Sequence, residues 1–338
     1  MTEMAPSAKL PQGESNLEDI ESLNANHPFE GQRVTPLRCL LALCVFLLMQ
    51  HVSGAQDSTQ SPSQPGEDYR ITLNANMVLL SATVVDRRNA LVSGLRKDDF
   101  RLYEDGVLQP IKYFSHEDIP VTAGIVVDNS GSMGPKRSDV IASAMAFARS
   151  SNPQDQMFVV NFNERISFGL PANTPFTDQP DKLLIALSSI HTIGQTALYD
   201  GIAAALEHLK QGNREKKVLI LLTDGDDNRS RHSLAQVIDM AKQSSAIIYA
   251  IGIFNGQDDA QKPGVLRRFA RETGGMAFFP ESSKEIASIC EEIARDIRNQ
   301  YTLAYVPRIG EKPGSYRTIE VKASATHHGH LSVRTRAG

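Results

Sequence analysis

Cysteine is nearly missing from this chain: three residues in 338, at positions 39, 44 and 290. Cys39 and Cys44 fall in an apolar amino-terminal segment that reads as a removable export signal, which leaves Cys290 by itself. No intramolecular disulfide can then form, and the mature protein must be stabilised by its core. Cys290 sits on an apolar helix stripe and reads as a small buried hydrophobe. A basic block is missing too. Taking away residues 1–55 removes three of 35 basic and six of 39 acidic residues, leaving 32 against 33 and a net charge near −1. That balance argues against nucleic acid and anionic membrane as partners. Also absent are a Gly-x-Ser-x-Gly elbow, a His-Glu-x-x-His pair and a phosphate loop of the Gly-x4-Gly-Lys-Ser/Thr type. The protein therefore reads as a non-enzyme. His327, His328 and His330 are spaced for Zn²⁺ or Ni²⁺ but read as an exposed polar turn, and His191 and His208 as surface residues.

No apolar run is long enough for a comfortable membrane span. Leu37 to Met49 is apolar apart from Arg38, about a dozen apolar residues where a span needs roughly 20. Arg38 supplies a positive flank, and Ser53-Gly54-Ala55 places small residues where a signal peptidase requires them. The expectation is cleavage after Ala55 and an extracytoplasmic protein, in the periplasm, at the cell surface or secreted. The alternative is a membrane anchor over 37–52, and membrane contact is expected only if the segment is uncleaved. Leu43 occupies the place before Cys44 where a lipoprotein signal needs a small residue, so lipidation is not expected. Residues 1–32 are polar and acidic, unlike the front of a signal; initiation at Val34, if its codon is GTG, would explain them.

The composition, 41% hydrophobic, suits one sizeable α/β domain plus something smaller. After the extension and signal (1–55), residues 56–68 are rich in Ser, Gln and Pro and read as a linker. The span 69–119 is β-like. Ile71, Leu73, Met77, Leu79, Ser81, Thr83 and Val85 share a period of two, and Phe100–Tyr103 and Val107–Tyr113 flank Asp105-Gly106, a strong hairpin signal. The span 300–338 is β-like as well, at Tyr301–Val306, Tyr316–Val321 and Leu331–Arg334. Between them, over 120–299, strands and helices alternate. Strands are expected at 123–127, 157–162, 218–223, 246–254 and 276–279. Helices are expected at 136–150, 179–190, 197–211, 233–244, 263–273 and 283–299. The last helix carries the stripe Ile286, Ile289, Cys290, Ile293, Ile297, with Ser283 as a possible cap. This pattern predicts a doubly wound, mainly parallel sheet covered on both faces. Neither β flank has enough strands for a core of its own, so the two are expected to pair into one small β-sandwich into which the α/β domain is inserted.

The chemistry is concentrated at strand ends. Asp128-Asn129-Ser130-Gly131-Ser132-Met133 follows the apolar run Ala123–Val127, at the carboxyl end of a predicted strand, where ligands bind in such sheets. One carboxylate and two hydroxyls at alternate positions are hard oxygen ligands, suited to Mg²⁺ or Mn²⁺ rather than Zn²⁺. Asp128 and Ser130 also suit a helix cap, as does Thr196 ahead of the helix beginning near Ala197.

Asp128-Asn129-Ser130-Gly131-Ser132 resembles the DxSxS motif of von Willebrand factor type A domains. Gly194-Gln195-Thr196-Ala197-Leu198-Tyr199-Asp200-Gly201-Ile202 resembles that family's threonine loop, and Leu221-Leu222-Thr223-Asp224-Gly225 its strand-end TDG. The three occur in the family's order, and the resemblance covers about 120–299. The flanks, with Gly94 to Phe100 and Leu102 to Gly106, resemble those of bacterial secreted proteins carrying such a domain. The resemblance implies a metal-ion-dependent adhesion site. Ser130 and Ser132 would bind Mg²⁺ (or Mn²⁺) directly, Thr196 directly or through water, and Asp128 and Asp224 mostly through coordinated waters. An open position would accept an Asp or Glu carboxylate from a partner protein. The run Asp224 to Asn228 also looks like part of a Ca²⁺ loop, but Ala235 stands where an EF-hand needs Glu. Asp226 and Asp227 are therefore expected to form a solvated rim, with an auxiliary cation as the alternative. By analogy, ligand at the metal would be coupled to displacement of the last helix, and so to the β domain. Besides an adhesion-type module, an extracytoplasmic subunit of a protein-assembly or maturation complex and a metal-dependent hydrolase stay open.

Overall fold

The computed structural model describes residues 77–189, 191–225, 227–254, 263–307 and 316–337. The expected signal, the linker 56–68, Ile71, Leu73 and Asp226 lie outside the described residues.

Five strands precede or open the α/β region: β1 (Val78–Val85), β2 (Phe100–Glu104), β3 (Val107–Gln109), β4 (Tyr113–Ser115) and β5 (Val121–Asp128). A short 3-10 segment, Gly131–Lys136, leads into α1 (Arg137–Ser150). Then follow β6 (Gln156–Phe162), β7 (Ile166–Phe168), α2 (Pro180–Ser188), α3 (Leu198–Leu209), β8 (Lys216–Thr223) and α4 (Leu234–Ser244). The series continues with β9 (Ile247–Gly252), α5 (Pro263–Thr273), β10 (Ala277–Phe278) and α6 (Ile286–Arg298), and closes with β11 (Tyr301–Tyr305), β12 (Ile319–Ala323) and β13 (Ser332–Arg334).

The central sheet runs β10-β9-β8-β5-β6-β7, parallel throughout except for β7, which lies antiparallel to β6 at the edge. Its strands read as unbroken apolar runs because both faces are covered. Along β5, Ala123, Ile125 and Val127 pack under α1, α2 and α6, while Val126 packs on the other face, under α3, α4 and α5. Gly124 makes room on that second face: a Cβ there would stand 2.4 Å from the Phe158 ring and 2.6 Å from Leu219. The doubly wound expectation holds. Strand β7 was not expected, since three half-exposed residues at an edge leave no periodicity to read.

The strands on either side of the α/β region pair with each other. One sheet is ordered β13-β1-β11-β4 and the other β12-β2-β3, and both send side chains into one core built on Leu80, Phe100, Leu102, Tyr301, Leu303 and Tyr305. The β2–β3 hairpin turns on Asp105 (φ 48°) and Gly106 (φ 77°), the left-handed pair a two-residue turn demands. The core face of β1 carries Leu80, Ala82 and Val84, the face opposite the period-two set Leu79, Ser81, Thr83 and Val85 noted in the sequence. Both faces of β1 are covered, so period-two alternation could not tell them apart: Thr83 is fully buried, accepting from Gln300 Nε2 at 3.3 Å. One correction concerns the start of α6. Ser282 makes the local cap, accepting from Lys284 N, and the Ser283 hydroxyl instead donates to Asp139 on α1.

Polar side chains anchor the far end of α6. Lys216 Nζ donates to Ile297 O at 3.0 Å, Arg298 bridges Asp118 and Asp155 at 2.8 Å each, and Asp296 accepts from Tyr249 Oη at 2.6 Å and from Arg334 of β13. Cys290, midway along α6, is fully buried, and burial pushes its thiol up to about 12. Burial, reinforced by Arg298, lowers Lys216 to about 8 from an ordinary 10.5, against the pull of Asp118, Asp296 and Asp155. Between those two values the unfolded chain holds a proton that the folded chain has released. Stability therefore rises with pH across that window, by about 3 kcal/mol for this group. Urea unfolding at pH 8 and pH 10.5 is expected to show that gain in the wild type and to lack it in Lys216→Met. Equal pH slopes in the two proteins would refute the assignment.

Candidate metal centre

Strand β5 is central, with β6 on one side and β8 on the other, so the chain reverses its winding at the crevice between the carboxyl ends of β5 and β8. Open α/β sheets bind ligands at such a switch point. Asp128 is the last residue of β5, and Asp224 follows directly on β8. Both carboxylates are buried, 1% and 5% exposed.

Hydrogen bonds tie the two strand ends together. Asp128 Oδ2 accepts from the Thr223 hydroxyl at 2.6 Å, and Asp128 Oδ1 from the Ser130 backbone N–H at 2.8 Å. The Ser130 and Ser132 hydroxyls are 3.2 Å apart, and Ser132 Oγ donates to Asp224 Oδ1 at 2.8 Å. Ser130 is buried while Ser132 is exposed, so the cluster opens to solvent on the Ser132 side. Ser130 holds the cap position of the 3-10 segment without a side-chain capping bond, and the cap position of α3 falls on Ala197 rather than Thr196. The hydroxyls are thus not used up by capping.

The threonine loop is brought in by its backbone. Gly131 N donates to Gly194 O at 3.2 Å and Ile193 N to Asn129 O at 3.0 Å. Thr196 N donates to Asn228 Oδ1 at 2.9 Å, and Asn228 N returns a bond to Thr196 O at 3.0 Å. A Cβ placed on Gly225 would lie 3.4 Å from Thr196 Oγ1, which sets that hydroxyl beside the TDG turn.

Three supporting residues escaped the sequence reading. Asn129 is buried between Val127 O, Asn161 and Arg137, and its backbone N–H reaches Phe162 O at 2.6 Å. Asn228 makes the reciprocal clasp just described. Lys136 donates to Asp224 Oδ2 and to Ile253 O, both at 2.7 Å. Amides and lysines after a motif carry no periodic signal, and these contacts span up to 117 residues of chain.

Asp227 departs from the expected solvated rim. It is half-buried, and its Oδ1 accepts from Tyr199 N at 3.3 Å in the first turn of α3, where a carboxylate offsets the helix dipole. Asp200 on α3 is similarly engaged, accepting from the Arg231 and His232 backbones at 3.0 to 3.1 Å. His208 is not a plain surface residue: it is half-buried against Phe158, Phe168 and Phe176 and bonded to Pro175 O. His327, His328 and His330 are exposed, as expected of a turn.

Electrostatically the centre is acidic and buried on one side. Burial pushes the Asp128 carboxyl above its ordinary value, opposed by the bonds from Thr223 and Ser130 and reinforced by the charge of Asp224. Two buried carboxylates beside three hydroxyls form an all-oxygen donor set that a hard dication would complete. Among the described residues, no group of three His, Cys, Asp or Glu side chains offers another metal site.

The model of the von Willebrand factor type A domain matches residues 124–292. Integrin alpha-E of Mus musculus is 29% identical over 143 residues, 38% of this chain and 12% of its own length. An uncharacterized protein of Borreliella burgdorferi is 26% identical over 182 residues, 46% of this chain and 52% of its own length. This chain thus spans about an eighth of the first relative's length and about half of the second's. Among solved structures, a von Willebrand factor type A protein from Catenulispora acidiphila superposes with TM-score 0.49 at 14% identity, over 78% of this chain and 75% of that one.

Proposed function

The chain belongs to the von Willebrand factor type A domain family, and from that premise we propose that it is an exported, metal-dependent protein-binding module of adhesion type. Domains of this family are in general protein-interaction modules that bind a divalent metal, rather than enzymes. In this reading Ser130 and Ser132 hold Mg²⁺ or Mn²⁺ through their hydroxyls, with Thr196 as a further donor. Asp128 and Asp224 hold it mostly through ordered waters. The bound ion supplies an open coordination position for an Asp or Glu carboxylate of the partner.

One observation carries the reading. Two buried carboxylates and the serine hydroxyls, from segments 92 residues apart, converge in direct hydrogen-bond contact at the switch point of the sheet. Oxygen donors of this kind favour Mg²⁺ and Mn²⁺ over softer ions. The protein's part is to hold the donors in place: Asn129 and Asn228 fix the loops, and Thr223 orients Asp128. The α/β region 120–299 presents the site, between the β flanks 69–119 and 300–338. Export rests on the signal-like segment ending at Ala55. Among the described residues, no helix is long and apolar enough to cross a membrane.

Calorimetric titration of the protein from residue 56 onward with Mg²⁺ and Mn²⁺ tests the site. Saturable binding is expected, lost in Asp128→Ala and weakened at least ~10-fold in Ser132→Ala, for a direct ligand contributing a few kcal/mol. Because Ser132 is exposed, its variant is expected to melt like the wild type in EDTA. Absence of saturable binding by the wild type would sink the proposal.

A further inference from the structure

Lys136 is the one positively charged side chain, among the described residues, hydrogen-bonded to a proposed metal donor. Its ammonium lies 2.7 Å from Asp224 Oδ2, while the other oxygen of Asp224 accepts from Ser132 at 2.8 Å. A second bond, 2.7 Å to Ile253 O just beyond β9, holds the ammonium in place. The Lys136 side chain is 11% exposed and that of Asp224 2%, so water screens this pair little. Pro135 and the 3-10 turn Gly131–Lys136 fix the stem that delivers it, within the same loop that carries Ser130 and Ser132.

Asp128 and Asp224 alone would neutralise a bound dication. With Lys136 sharing Asp224, the protein groups sum to −1, and the loaded centre keeps one positive charge. A buried positive charge seeks an anionic ligand, and a cation already seated on one carboxylate opposes a second cation.

Resting on the metal-site reading above, we propose that Lys136 sets the charge of the centre, weakening its grip on the dication and leaving the bound ion selective for a carboxylate partner. The lysine is a positioning and specificity residue and is not itself a metal ligand. Its effect is read through metal affinity and anion linkage, because a carboxylate that binds the loaded centre must tighten metal binding by the same factor.

The experiment is Mn²⁺ titration of the protein from residue 56 onward in chloride and in acetate at equal ionic strength. It compares wild type, Lys136→Met, Lys136→Gln and Lys136→Arg. Neutral replacement is expected to tighten Mn²⁺ binding about tenfold, the effect of one nearby charge in a partly screened site. It is also expected to enlarge the Mn²⁺-induced rise in melting temperature and to shrink the extra affinity conferred by acetate. Lys136→Arg keeps the charge and is expected to resemble the wild type. Lys136→Gln retains a donor toward Ile253 O and serves if the methionine variant folds poorly in EDTA. Unchanged or weaker Mn²⁺ binding by the neutral variants, beside normal uptake by the wild type, would overturn this inference alone. Failure of the wild type to take up Mn²⁺ would overturn the metal-site reading and this inference with it.

Discussion

A chain ending at Asn299 loses protection from amide exchange and protease throughout residues 78–115, while β5, β6, β8 and β9 keep theirs. Strand β1 has two sheet neighbours, β11 and β13, and both lie in the removed segment. The β2–β3 hairpin loses β12. Tyr301, Leu303, Tyr305, Ile319 and Val321 leave the shared core with them. At about 1.5–3 kcal/mol for each large apolar side chain, the loss is on the order of 10 kcal/mol, comparable to the whole stability of a domain. The central sheet retains separate cores on its two faces, which draw on neither flank. Hydrogen exchange read by mass spectrometry tests this directly. A protease-resistant fragment over 78–115 in the truncated protein would show that the amino-terminal strands stand alone.

Arg334→Met is expected to destabilise the protein by about 3–5 kcal/mol in urea unfolding, the cost of stranding a buried charge. Arg334, on β13, pairs with Asp296 near the end of α6, and the Asp296 side chain is 5% exposed. The same carboxylate accepts from Tyr249 Oη, which in turn accepts from Gln300 Nε2 at 3.1 Å. Burial and the Asp296 charge hold the Tyr249 hydroxyl well above its ordinary value, so it stays a proton donor. The double variant Asp296→Asn/Arg334→Met removes the stranded charge yet keeps an acceptor for Tyr249. It is expected to recover most of the loss. Equal instability of the single and double variants would mean that Arg334 acts through packing rather than charge.

The same contacts bear on the last helix. At one end Ser283 bonds Asp139 on α1, and at the other Lys216, Arg298 and Asp296 join α6 to the central sheet and to β13. A displacement of α6, expected by analogy with adhesive relatives, would have to break this set together.

Much of the α/β region was legible because burial on both faces writes itself as continuous apolar runs. Val121–Asp128, Gln156–Phe162 and Lys216–Thr223 each extend the expected strand by no more than two residues at either end. The helices were legible from stripes such as Ile286, Cys290, Ile293 and Ile297. Edges and doubly covered flank strands were not. Strand β7 is too short to show a period, and β1 mixes apolar and polar residues on the face opposite its core, so alternation did not single out the core face.

The candidate centre divides the same way. Asp128, Ser130 and Ser132 could be named from the chain because they alternate just beyond an apolar strand, whereas Thr196 and Asp224 were named through the resemblance to the type A family. That Asp227 serves α3, that Asn129 and Asn228 clasp the loops, and that Lys136 shares Asp224 could not be named. Residue identity and spacing determined which oxygens are available and where they sit along their strands. Tertiary structure alone decided their partners and the net charge around them. A hydrogen bond between residues 88 apart depends on how strands are ordered in a sheet, and a strand's local pattern carries no record of its neighbours.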